Sequence, residues 1–193
     1  MKIFCLICQL EVERRLAVFT LKVDDEIELA LVQPSFAGQY LKIVNEQRDY
    51  LAQWLAWPPH ADSEAFFQRF ITQSLHDYAD GKSLVCAMMY RGELVGNISF
   101  NAINLSLKKV ELGYWLSSRA QGNGIVTRSV GRLIECAFNE LGMEKVQLCV
   151  ATENTASRNV AERLGFSLEG IITRNENING RVVDHAVYGL LRS

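Results

Sequence analysis

The chain carries no excess of positive charge: among its 193 residues 20 Lys and Arg stand against 22 Asp and Glu, a formal net charge of −2 at pH 7. Without a basic field it cannot grip a phosphodiester backbone nonspecifically, which argues against nucleic acid as a direct partner. It also lacks any run approaching the ~20 apolar residues that span a bilayer. The apolar stretch Ile3 to Cys8 is shorter than a signal-peptide core, and Glu11, Glu13, Arg14 and Arg15 follow it at once with no small-residue cleavage site. Histidine is scarce, and His60, His76 and His185 share no ligand spacing; Cys5-x-x-Cys8 has no second pair, so no metal is expected. Five cysteines, an odd number scattered through expected core elements, point to a reducing compartment, the cytoplasm in the simplest reading. No linker, repeat or low-complexity segment divides the chain.

What is present is ample apolar material, 49% of residues, enough for one full core. Glu26 to Val32 alternates weakly and reads as the first strand. Gln33-Pro34-Ser35 turns into a helix over Phe36 to Glu46, and a second short helix covers Tyr50 to Leu55, closed by Trp57-Pro58-Pro59. Asp62 or Ser63 caps the next helix, whose Phe66, Phe67, Phe70, Ile71, Leu75 and Tyr78 recur at helical spacing until Gly81. From Leu84 the period becomes two: Leu84 to Tyr90, Glu93 to Ile103 and Lys108 to Leu116 form an antiparallel meander. An amphipathic helix after Gly124 runs to Gly142. Strand Lys145 to Ala151, helix Asn154 to Leu164, strand Ser167 to Asn177, the Asn179-Gly180 turn and strand Val182 to Leu191 complete the order. The strand, helix, strand crossover from Val110 to Val150 makes those two strands parallel beside otherwise antiparallel hairpins. The class is α/β (α+β).

Residues 111 to 124, Glu-Leu-Gly-Tyr-Trp-Leu-Ser-Ser-Arg-Ala-Gln-Gly-Asn-Gly, carry a strand through a glycine-bearing loop into that amphipathic helix. Gly122 and Gly124 permit positive φ and close approach of a ligand, and the first NH groups of the helix have no intrahelical partner. Such NH groups favour an anion, most naturally a phosphate. A Walker loop would need Lys-Ser or Lys-Thr after its last glycine, where Ile125 and Val126 stand; a dinucleotide fingerprint would need a third glycine where Thr127 stands.

The remaining pattern, Arg119-x-x-Gly122-x-Gly124 after a strand, resembles the pyrophosphate-binding motif of the GNAT superfamily of N-acetyltransferases. A second block agrees with it: Asn154-Thr155-Ala156-Ser157 opens a helix that ends in Leu164-Gly165-Phe166, followed by Glu169-Gly170. With Tyr50-Leu-x-x-Trp54-Leu-x-Trp57-Pro58 upstream and Asn179-Gly180, Asp184 and Tyr188 downstream, the likeness is to the branch that acetylates ribosomal-protein N-termini, above all the ribosomal-protein-serine acetyltransferases. The resemblance covers roughly residues 25 to 192, leaving residues 1–20 as an extension of unknown role before a single domain over 21–193. It implies a mixed, mostly antiparallel sheet of about seven strands with a splayed parallel pair and helices on both faces. It also implies acetyl-CoA as cosubstrate and no metal, with a protein N-terminus as acceptor and a monomer or homodimer as the working form. A polyamine or aminoglycoside acetyltransferase, or a non-catalytic acyl-CoA sensor, would share the same cleft.

Within that frame the NH groups of Gln121, Gly122, Asn123, Gly124, Ile125, Val126 and Thr127 hold the pyrophosphate, with Arg119 and Arg128 available for further phosphate charge. The strand Leu112, Gly113, Tyr114, Trp115, Leu116 pairs with the peptide-like pantetheine arm, and an NH near Tyr114 or Trp115 serves the oxyanion. Asn154 is an amide partner for pantetheine or an N-cap. Many family members place an acidic tyrosine four residues before the Gly-Phe pair; that position is Ala161 here, and Ser157, one turn earlier, resembles the serine assigned this task in the ribosomal-protein-serine branch. Glu111, Glu176, Asp184 and His185 are the base candidates. The resemblance ranks Glu176 first and Glu111 second, whereas by the residues alone a glutamate on a strand is a solvated or ion-paired group.

Overall fold

A computed structural model describes residues 19–192, so the Ile3 to Cys8 stretch and its two cysteines lie outside the described residues. The elements are β1 (Thr20–Lys22), β2 (Ile27–Leu31), α1 (Ala37–Ala52), α2 (Glu64–Ala79), β3 (Leu84–Tyr90), β4 (Glu93–Asn104), β5 (Lys109–Leu116), α3 (Ile125–Glu135), β6 (Lys145–Ala151), α4 (Thr155–Arg163), β7 (Ser167–Ile178) and β8 (Arg181–Leu191). Among the described residues the eight strands form one sheet in the order β1-β2-β3-β4-β5-β6-β8-β7, one more than the resemblance implied because Thr20–Lys22 pairs with β2.

Period-two alternation divides the apolar side chains between two faces. Val85 and Ala87 of β3 join Tyr40 and Val44 of α1 and Phe67 and Ile71 of α2. Cys86 and Met88 point the other way, into the cluster with Val130 and Leu133 of α3 and Ala161 of α4. Helices therefore cover both faces. α3 continues into a π-helical turn, Cys136–Glu140, and closes at Gly142 with φ 65°.

Two local irregularities shape the site. The expected pair of helices over Phe36 to Glu46 and Tyr50 to Leu55 is present as two helical segments that run together as α1, separated by a kink at Gln47 (φ −139°, ψ 25°), the second ending at Ala52 rather than Leu55. The kink sits where the Gln47 side chain turns inward to bond Ser117 and Ser118, a tertiary cause that local periodicity does not register. In addition, β7 slips against β8 between Ile172 and Glu176. Arg174 sits there at φ 52° and its N–H donates to Asp184 Oδ1 at 2.7 Å, so Asp184 pins the bulge. Ser63 precedes α2 in extended conformation without a side-chain capping bond.

The feature that makes a site is a register that stops. β5 and β6 run parallel and pair from Lys109↔Lys145 to Leu112↔Leu148, four positions. Beyond these, β5 stays with β4 as far as Leu116 and β6 stays with β8 as far as Ala151, and the two part.

Candidate active site

The parting strands open a cleft of about 1370 Å³ lined from the α3 N-terminus to the β7 bulge. Of the residues expected to contact the cosubstrate, Leu112 to Leu116, Gln121, Gly122, Gly124 to Thr127, Asn154 and Ser157 line it, as do Glu111 and Glu176; Arg119 and Asn123 do not.

At one end, Gly122 and Gly124 take φ of 79° and 66°, conformations that glycine adopts without penalty. The first helical bond of α3 runs from Arg128 N–H to Gly124 O at 3.0 Å, so the N–H groups of Ile125, Val126 and Thr127 precede the ladder and are free for an anion. Asn123 folds its amide back onto Ala120 O and Gln121 O, both at 3.1 Å, which braces the loop. The two arginines expected to add phosphate charge are engaged elsewhere: Arg119 pairs with Glu46 at 2.7 Å, and Arg128 with Asp24 at 2.7 Å and Glu26 at 3.1 Å. The cation that does line the cleft is Arg163, at the end of α4, which donates to Thr127 Oγ1 at 3.1 Å and has no ion pair among the described residues. Sequence reading missed it, although its place two residues before Gly165 in the second motif block was a usable signal.

In the middle, the direction of the β5 backbone follows from one bond. Ser117 N–H donates to Val95 O at 2.8 Å, so by the alternation of an antiparallel ladder Gly113 and Trp115 bond across to β4, while the N–H groups of Tyr114 and Leu116 face the gap. Of the two residues named for the oxyanion donor, Tyr114 turns its N–H to the gap and Trp115 does not. A Cβ on Gly113 would stand 2.5 Å from Asn101 Nδ2, so only glycine lets that amide, which also accepts from Ser99 Oγ at 2.7 Å, lie along the strand.

Across the gap Asn154 is an N-cap, its Oδ1 accepting from Ser157 N–H at 3.1 Å. Ser157 Oγ lies 2.9 Å from Tyr114 Oη. Burial pushes the Tyr114 phenol up to about 12, with the Ser157 hydrogen bond acting in the opposite direction. At the far end the β7 bulge brings Glu176 Oε2 to 3.2 Å from His185 Nε2. Both ring nitrogens of this partly buried histidine are shielded from solvent, and neither makes a well-aligned hydrogen bond. Trp54, Trp57 and Phe66 form the facing wall; Trp57 also stacks on Phe66 and meets Phe67 edge-on, so it is core and wall together. Tyr188 is buried among Arg158 and Glu162 and has a packing role.

A free-amide cradle, a gap edged by unpaired backbone and a carboxylate beyond it suit a phosphorylated, amide-bearing thioester. The sequence matches the acetyltransferase (GNAT) domain family over residues 27–167. The chain is a GNAT acetyltransferase. It is 32% identical over 176 residues to YdaF of Bacillus subtilis (strain 168), covering 91% of this chain and 96% of that protein. It is 28% identical over 169 residues to the ribosomal-protein-serine acetyltransferase of Escherichia coli (strain K12), covering 88% and 94%. Among solved structures, RimL, a ribosomal alpha-N-protein acetyltransferase in complex with coenzyme A, superposes with a TM-score of 0.86 at 26% identity, covering 90% of this chain and 98% of that one. As a GNAT N-acetyltransferase the protein uses acetyl-CoA, which supplies a thioester-activated acetyl group; the α3 amides and the gap-facing β5 backbone are the groups fitted to hold it. Among the described residues there is no cluster that could hold a metal, and no helix is long and apolar enough to cross a membrane.

The GNAT motifs do not mention a clamp on the loop. Gln47 Nε2 donates to Ser117 Oγ at 2.7 Å, and Gln47 Oε1 accepts from Ser118 N–H at 2.7 Å and Ser118 Oγ at 3.0 Å. One turn on, Tyr50 accepts from the Gln121 side-chain amide. The second half of α1 thus fixes the strand-to-loop corner through side chains whose identity no helix pattern marks.

Proposed function

We propose that this acetyltransferase transfers acetyl directly to the N-terminal α-amine of a protein, with a ribosomal protein as the acceptor, in the cytoplasm. The observation that carries the reading is the charge of the acceptor end: the carboxylates lining the cleft are Glu111 and Glu176 alone among the described residues, with His185 beside the second. A polyamine presents several ammonium groups and calls for several carboxylates, whereas a chain terminus presents one. An α-amine titrates near ~7.7 to 8.0 against ~10.4 for a lysine side chain, so a single carboxylate is enough to draw off its proton. The likeness to ribosomal-protein acetyltransferases over nearly their whole length supports the same acceptor.

In this reading Glu176 takes the amine proton directly or through water, and the pair with His185 orients its carboxylate. The N–H of Tyr114 faces the gap and receives the negative charge that grows on the acetyl oxygen. Ser157 faces the departing sulfur. No covalent enzyme intermediate is needed, since the amine and the thioester meet in one cleft. Thiol release from acetyl-CoA, measured with peptides beginning in Ser, Ala or Met and with spermidine, tests the proposal. Faster release with a peptide is expected; a higher kcat/KM with spermidine would overturn it.

A further inference from the structure

The tyrosine that many GNAT members carry on the helix after the second strand of the parallel pair is absent here, and its place on α4 is taken by Ala161, fully buried against the core. A tyrosine hydroxyl nevertheless reaches the same side of the gap from a different element. Tyr114, on β5, places Oη 2.9 Å from Ser157 Oγ and 3.4 Å from Ser157 O, and both side chains line the cleft. We propose that Tyr114 is a positioning residue that sets the direction in which the Ser157 hydroxyl hydrogen points, holding it away from the thioester at rest and turning it onto the sulfur during transfer.

The argument rests on what two hydroxyls can do with one contact. The oxygen positions fit an arrangement in which Ser157 Oγ–H donates to Tyr114 Oη and Tyr114 Oη–H donates to the Ser157 carbonyl, a small closed loop in which the serine hydrogen is occupied. At 2.9 Å either oxygen can be the donor. Rotation of two hydroxyl hydrogens, with no heavy-atom movement, gives the alternative: Tyr114 Oη–H donates to Ser157 Oγ, and Ser157 Oγ–H is released toward the gap.

Burial raises the phenol to about 12, above the ~8.5 of a thiol, so the pair is better suited to donate a hydrogen bond to the thiolate than to give up its proton. The pair acts by hydrogen bonding. The amine nitrogen forms its bond to the acetyl carbon, the carbon–sulfur bond breaks with its electron pair on sulfur, and the thiolate is stabilised by Ser157 Oγ–H. The amine's lost proton leaves through the carboxylate and solvent, and the thiolate takes a proton from water if it takes one at all. A phenol kept neutral by burial is suited to this, because it remains a donor throughout the physiological pH range.

The inference rests on Ser157 as the group that faces sulfur, and the test separates the two. Tyr114→Phe keeps the ring and removes only the hydroxyl. With the same acceptor, kcat is expected to fall about fivefold to tenfold, the effect of one hydrogen bond. KM for acetyl-CoA and coenzyme A affinity by calorimetry should stay within about twofold, because the hydroxyl pair does not hold the donor in the ground state. In a Ser157→Ala background the same change should cost nothing further. An unaffected Tyr114→Phe rate beside a slow Ser157→Ala enzyme overturns the inference alone, and an unaffected Ser157→Ala enzyme overturns the role of Ser157 and this inference with it. A Tyr114 effect that multiplies onto Ser157→Ala also overturns it. Incorporating 3-fluorotyrosine at position 114 guards against packing effects: a more acidic phenol donates better, so kcat should hold or rise, and a fall like that of Tyr114→Phe would show the ring fit to be responsible.

Discussion

Replacing Gln47 by alanine should loosen the donor site without touching it. Gln47 is buried at the α1 kink and makes three hydrogen bonds to Ser117 and Ser118, the two residues through which β5 enters the glycine loop. The alanine variant strands the Ser118 N–H and the hydroxyl of the buried Ser117. At about 1–3 kcal/mol for each buried group left unpaired, and with Ser118 partly reachable by water, the total is roughly 2–4 kcal/mol. For a protein of this size about 1 kcal/mol moves Tm by about 2–4 °C, so a fall of about 4–16 °C is expected by calorimetry. Because the loss is local, coenzyme A binding should weaken together with stability. Gln47→Glu offers an internal control: its carboxylate can still accept from Ser118 N–H, and the Ser117 hydroxyl can reverse to donate, so it should fall between wild type and Gln47→Ala in both measurements. A Gln47→Ala protein that melts within 1 °C of wild type and binds coenzyme A unchanged would refute the view that the kink exists to hold the loop.

Arg163→Ala should weaken coenzyme A binding about tenfold or more, the scale of a lost charge-assisted bond, while leaving turnover of acetyl-pantetheine, which has no diphosphate, unchanged; equal losses with both donors would remove the phosphate role. Glu176→Gln should lower kcat by about 100-fold or more at neutral pH and flatten the acid limb of its pH profile, with a smaller effect for Glu111→Gln; the reverse order would exchange their roles. Asp24 and Glu26 have carboxyls held below the ordinary range. For Asp24 the first cause is the Glu26 N–H, followed by Arg128; for Glu26 it is Arg91, then Arg128. A lowered folded pKa gives stability that is complete above the unfolded value, near ~4, and is lost as pH falls through the folded one, so Tm should drop below about pH 4 and Asp24→Asn should blunt that drop. An acid limb unchanged in Asp24→Asn would exclude this contribution.

The elements most legible in the sequence were those whose signals are local. β3 and β6 begin and end where alternation and turn residues placed them, and Gly122, Gly124 and Gly142 take the positive φ that their positions before or after helices suggested. The parallel crossover followed from chain order alone. What stayed hidden depends on partners distant in sequence. Arg119 and Arg128 looked available for phosphate until the fold brought Glu46, Asp24 and Glu26 beside them, and nothing in the sequence marked Gln47, which falls between the two expected helices, as a partner of the glycine loop. The β7 bulge that presents Glu176 is written in Asp184 reaching back to Arg174 N–H, a pairing that exists only once the hairpin has formed. Asn154 shows the limit from the other side: the local N-cap geometry was readable and is what the structure contains.

The four-position ladder between β5 and β6 also bears on how long the enzyme survives. Past Leu112 and Leu148 both strand edges leave the sheet unfinished, so in the proposed reading a bound donor would extend a ladder that the polypeptide leaves open. Any ligand bound by the folded state alone raises the unfolding free energy with the logarithm of its concentration, by about 2.7 kcal/mol at a hundred times Kd. Unfolding of this acetyltransferase, and with it exposure to proteolysis, should therefore follow the supply of its own donor. Molecules would persist when acetyl-CoA is abundant and be cleared when it is scarce.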